Sequence, residues 1–178
     1  MRRIGFCAVV VATALVAAGC GSSSPVTTQA SDQPAYGDGA VRLNVSLEAH
    51  TTSTPRWSQT VRLRHGQAVT LRLLIRNEGA SGSGDVRAAV RLPNSLVVNP
   101  ATVQDRSVPE VEALGNAVSD PQALMGRGLV LGPFPPNTFT SIQLTARARG
   151  GASGTVTPTA HVTTAGTDST TRLSVQLG

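Results

Sequence analysis

The side chain with the clearest chemistry in this sequence is the thiol of Cys20. It stands in LVAAGCGSSSP (15–25), just past an uncharged apolar run over 4–18 and Gly19. A thiol reacts as its thiolate, and at the end of such a run it can be the acceptor of a processing reaction. The other cysteine, Cys7, lies inside the run, so the chain after Cys20 holds no thiol and folds without disulfides.

The second candidate chemistry is cationic. All 15 basic residues are Arg, with no Lys, a composition that suggests a GC-rich coding genome. Arg62, Arg64, Arg72, Arg76, Arg87, Arg91, Arg147 and Arg149 occupy polar positions of alternating segments, and several are expected to be neighbours across strands. Planar guanidinium forks hold phosphate and carboxylate in pairs of hydrogen bonds. Arg62, Arg64, Arg72, Arg76, Arg87 and Arg91 therefore form a candidate anion-binding face for envelope polymers or lipid headgroups. The alternative is that arginine keeps strand faces soluble and blunts sheet edges, with Glu78 and Asp85 close in sequence.

Catalytic and metal chemistry find less support. A serine hydrolase needs a positioned nucleophile with a base, and no Gly-x-Ser-x-Gly elbow occurs. Alternation puts His50 and His161 on wet faces, and His65 closes a strand before Gly66 in a turn. There is no His-x-x-x-His and no cysteine pair for zinc. Asp105, Glu110, Glu112 and Asp120 lack the close spacing of a calcium loop. GRGLVLG (126–132) departs from the dinucleotide fingerprint in glycine spacing and in being followed by strand. No cofactor, metal or catalytic residue is expected, and the chain is read as a non-enzyme. Trp57 follows Pro55-Arg56 and is either a core residue or a binding anchor.

These groups need elements to position them. Met1-Arg2-Arg3, the apolar run and the small residues form a secretory signal over 1–19. The run is shorter than the ~20 residues of a spanning helix. Ala17-Ala18-Gly19-Cys20 resembles the lipobox of bacterial lipoproteins, with Ala17 where that family more often has Leu. The resemblance implies diacylglyceryl transfer to Cys20, cleavage before it, and a chain held by acyl groups at the outer face of the cytoplasmic membrane. Ordinary cleavage near Ala18 is the alternative. Residues 20–39 are Pro-, Gly- and Ser-rich and read as a tether. Loss of Arg2 and Arg3 takes the formal charge from +5 to +3, too mild to indicate nucleic acid as a partner.

From residue 40 the sequence alternates. Val41 to Ala49, Val61/Leu63, Val69/Leu71/Leu73/Ile75, Val86/Ala88/Val90/Leu92, Ile142/Leu144/Ala146/Ala148, Val156/Pro158/Ala160/Val162 and Leu173/Val175/Leu177 each keep a period of two. Such segments have one dry and one wet side. Seven or more of them between Gly, Pro and Asn turns predict an all-β, antiparallel β-sandwich over 40–178. Residues 99–128 break the alternation and are expected to be an irregular insertion, with Ser119 or Asp120 capping a short helical turn at Pro121.

GQAVTLRLLIRNEGASGSGDVRAAVRLPNSLVV (66–98) carries a glycine, an alternating strand, Asn77-Glu78-Gly79, a second strand, and Leu92-Pro93 with Leu96. LVLGPFPPNTFTSIQLTARARG (129–150) adds a Leu-Gly-x-Phe-x-Pro turn and a Thr-rich strand. In this order they resemble the conserved repeat domain of bacterial surface proteins, also called domain of unknown function eleven. Asn137 stands where that family usually has Gly. The resemblance implies an immunoglobulin-like sandwich serving as a spacer or adhesive module, and no catalytic residue. The expected function is a non-catalytic, membrane-anchored envelope lipoprotein that contacts another envelope protein or polymer. The rival is a lipoprotein that captures an anionic envelope component on its arginines or under 99–128.

Overall fold

Alternating apolar residues can be buried only if two sheets turn their dry sides to each other. In the computed structural model, which describes residues 40–105, 116–118 and 120–178, they do. The first sheet contains β1 (Leu43–Thr51), β2 (Thr54–Ser58), β4 (Ala68–Asn77), β6 (Leu96–Val98), β7 (Gln104–Asp105), β8 (Asn116–Ala117) and β10 (Phe139–Ala148). Its order is β2-β1-β4-β10-β7-β8, and β6 also pairs with β10. The second layer contains β3 (Thr60–Leu63), β5 (Asp85–Arg91), β9 (Leu129–Pro133), β11 (Gly154–Val156), β12 (Thr159–Thr164), β13 (Thr167–Arg172) and β14 (Ser174–Leu177). It runs β13-β12-β5-β9 in one part and β11-β14-β3 in the other. The parts meet where β11 continues into β12 and β13 into β14, and there Leu173 N–H donates to Pro158 O at 3.0 Å. The fold is an immunoglobulin-like β-sandwich.

Leu47, Leu71, Leu73, Ile75, Ile142 and Leu144 of the first sheet meet Val61, Leu63, Val86, Val90, Val162 and Val175 of the second in one core cluster. Burial of each such side chain contributes about 1.5–3 kcal/mol. The inward series read from the alternation is buried throughout β3, β4, β5, β10, β12 and β14, with Leu92 and Val156 only partly covered. All strand pairs are antiparallel except β3–β14, which is parallel. That exception follows from the corner between β2 and β3. Ser58 Oγ donates to Thr60 O (2.8 Å) and accepts from Thr60 N–H (3.1 Å), and Ser174 N–H reaches Gln59 O (2.9 Å). The chain thereby switches sheets within a residue and arrives alongside the last strand.

Asn77 ties the two halves of the domain together. It is fully buried at the end of β4, and its Nδ2 donates to Ser81 O (2.8 Å), Phe134 O (3.0 Å) and Pro135 O (3.3 Å). Its Oδ1 accepts from Gly79 N–H at 3.0 Å, and its backbone pairs with Thr138 O and Asn137 N–H. One amide thus satisfies the β4–β5 turn and the β9–β10 turn at once, as a buried polar group requires. Gly79 has no room for a side chain, since a Cβ there would stand 2.3 Å from Ala40 O. Asn137 holds φ at 60°, the left-handed region that Asn tolerates well.

Within 99–128, residues 99–105, 116–118 and 120–128 are described, and they carry short elements. A 3₁₀ turn (Pro100–Thr102) is capped by Asn99, and helix α1 (Pro121–Met125) by Asp120, whose Oδ1 accepts from Ala123 N–H at 2.9 Å. The Asp120 cap and the Pro121 start agree with the sequence reading. Val103, Ala123 and Leu124 are buried, and Val103 and Leu124 enter the main core. Three apolar residues spaced this far apart show no period, which is why the alternation could not reveal them.

Candidate functional site

Glu48 and Arg72 sit directly opposite each other on β1 and β4, on the solvent side of the first sheet. Opposed side chains in an antiparallel pair lie close enough for long side chains to meet, and Arg72 Nη2 pairs with Glu48 Oε2. Trp57 comes from β2, the neighbouring edge strand, and its ring centroid lies 4.2 Å below the Arg72 guanidinium carbon. The His50 ring meets Trp57 edge-on, with centroids 4.4 Å apart and planes at 89°. Trp57 is therefore half-buried in a surface cluster and is no part of the core. The stack contributes about 0.5–1 kcal/mol and the ion pair about the same, since its side chains keep 25% and 24% exposure. His50 Nδ1 and Arg72 Nε are buried without a hydrogen-bond partner. The arrangement offers a flat aromatic–guanidinium surface, of the composition that dominates protein contacts.

The six candidate arginines do not share one face. Arg72 and Arg76 point out from the first sheet, Arg87 and Arg91 from β5 in the second layer, Arg62 from β3 at that layer's edge, and Arg64 lies just past the end of β3. Nor are they cross-strand neighbours. Arg76 faces Asn44 and Phe139, Arg87 faces Thr163 and Val130, Arg91 faces Thr159, and Arg147 faces Ala68 and Val97. Alternation placed each on the right side of its strand, but the register that sets opposing residues is absent from a single strand's sequence. Arg87 Nη1 donates to Gly128 O at 3.2 Å, and Arg62 donates to Gln176 Oε1 through Nε (3.4 Å) and Nη2 (3.2 Å).

Arg62 and Arg64 do share a groove. With Ser53 and Thr54 of the β1–β2 turn and Gln67 they line an open groove of about 410 Å³. Of the histidines, His161 Nε2 lies 3.1 Å from exposed Asp168 Oδ1. His65 is exposed, with its ring against Gly150. Asp105 accepts from Thr140 Oγ1 (3.1 Å), and Asp120 combines its capping role with a 2.8 Å ion pair to Arg127. Among the described residues no three His, Cys, Asp or Glu side chains gather as metal ligands. No helix among them is long and apolar enough to cross a membrane. Cys20, Glu110 and Glu112 lie outside the described residues.

No family model matches this chain, and no curated protein matches it. Among solved structures, the CARDB domain of a Pyrococcus furiosus protein, described with di-metal ions, is 10% identical with a TM-score of 0.42, covering 78% of this chain and 89% of its own. BcpA, the major pilin subunit of Bacillus cereus, is 11% identical with a TM-score of 0.47, covering 76% of this chain. This chain corresponds to only 40% of that pilin. The collagen-binding domain of a Staphylococcus aureus adhesin is 10% identical with a TM-score of 0.44, covering 76% of this chain and 96% of its own.

Proposed function

We propose that this chain is a lipid-anchored envelope module, held at the outer face of the cytoplasmic membrane through Cys20, whose work is contact with another envelope protein or polymer. The observation that supports contact over catalysis is the disposition of its polar side chains. Those that are buried, such as Asn77, Ser83 and Thr51, are tied into turns of the fold. The Trp57 cluster with Arg72 and His50 lies on the outer face of a sheet. The signal, Cys20 and the tether over 20–39, all read from the sequence, support the address.

The test is photocrosslinking in living cells from a probe placed at Ser46, on the wet side of β1 near the cluster. A single protein or glycopolymer adduct, lost on Trp57→Ala and kept on Arg91→Gln, is the expected result. An adduct pattern unaffected by Trp57→Ala would mean that this face is not the contact surface.

A further inference from the structure

We propose that the groove between β3 and the β1–β2 turn is a phosphoryl-binding site formed by Arg62, Arg64, Gln67, Ser53 and Thr54. This inference goes beyond the contact function, concerns a different sheet edge, and does not depend on the lipid anchor.

Arg62 belongs to β3, Arg64 follows that strand's last residue, Leu63, and both side chains line the groove. No Asp or Glu lines the groove. Among the described residues neither arginine has an ion-pair partner, and Arg62 has only the neutral Gln176 carbonyl. Both side chains are exposed. Two uncompensated cations lining one groove are an arrangement that an anion between them would relieve.

The polar residues around them present donors. Gln67 Oε1 accepts from the backbone N–H of Arg64 at 3.0 Å. That N–H can only donate, so the amide is fixed with its NH₂ turned the other way. One of the two Nε2 hydrogens reaches Ser53 Oγ at 3.3 Å, and the other is left for a ligand. Thr51 Oγ1, 3.0 Å from Ser53 Oγ, accepts from Thr54 N–H at 3.0 Å. Thr51 can therefore donate its own hydrogen to Ser53 and leave the Ser53 hydroxyl hydrogen free as well. Two guanidinium forks, an amide NH₂ and hydroxyls from a fixed turn match the several acceptor oxygens of a phosphoryl group better than a single carboxylate. The same chemistry is carried by free phosphate and by a phosphodiester headgroup.

The experiment is a titration of the full-length, ¹⁵N-labelled chain in zwitterionic detergent, observing the Gln67 side-chain amide and the Arg62 and Arg64 Nε–H signals. The probes are inorganic phosphate and glycerophosphoglycerol, each against sodium chloride at matched ionic strength. Saturable shifts beyond the chloride control are expected, and the tighter probe identifies the source as free phosphate or headgroup diester. Arg62→Gln with Arg64→Gln weakens binding by about tenfold or more, the loss expected for charge-assisted hydrogen bonds, while Arg172→Gln on β13 leaves it unchanged. Gln67→Glu keeps the acceptor for Arg64 N–H but supplies a resident anion, and abolishes binding with the thermal midpoint preserved. Shifts no larger than those in chloride overturn the proposal. So does an equal loss in Arg172→Gln, which would mean diffuse attraction to a basic surface.

Discussion

The side chain on which the fold depends most is Asn77, because its amide bonds both turns that close β4 and β10. Asn77→Ala leaves Gly79 N–H and Ser81 O without partners, while Phe134 O keeps Ser83 N–H and Pro135 O keeps Thr138. We expect a loss of about 2–3 kcal/mol, read as a lower urea midpoint at unchanged slope. Asn77→Asp should cost more, since it keeps the acceptor but buries a charge among carbonyls. Asn137→Gly should stay within about 1 kcal/mol of the parent and Asn137→Val should fall below it, because φ at 60° excludes branched side chains. At this scale the sequence was partly legible. The positive φ at Asn137 and the Asp120 cap could be read because both are local. The Arg72–Trp57–His50 cluster could not, because it depends on the pairing of β1 with both β2 and β4. The signal that could have found it was the pair of opposite charges, Glu48 and Arg72, at outward positions of strands joined in register.

Elements with apolar alternation were legible, and those that bury polar residues were not. β13 (Thr167–Arg172) has no apolar side chain, and its half-buried positions are Thr167, Ser169 and Thr171. Pairing with β12 over its whole length makes it a strand. The stretch 99–128 likewise takes its order from long-range contacts, with β7 on β10 and Leu124 in the core. One replacement tests this dependence. Replacing 101–126 removes Val103 and Leu124 from the core, each worth about 2–4 kcal/mol, and should lower the midpoint sharply or prevent folding. Glu48→Gln, by contrast, touches a half-exposed pair and should cost less than about 1 kcal/mol.

For the whole molecule, the sandwich supplies a body with polar chemistry on its open faces, and the proposed address rests on the sequence before it. The fold class was readable from the period of seven segments, since two dry sheet faces have few ways to be covered. The surface groove of Arg62 and Arg64 was not, because Ser53 and Thr54 come from a part of the chain that only folding brings alongside β3. The central claim, anchoring through Cys20, is tested most directly by fractionating cells that express the parent chain and Cys20→Ala, with the intact mass of each mature product. The account predicts a parent chain in the membrane fraction whose mass is that of residues 20–178 plus an acylated glyceryl group, and a variant released from membranes. A Cys20→Ala chain that stays in the membrane fraction, or a parent chain whose cysteine is unmodified, would contradict it.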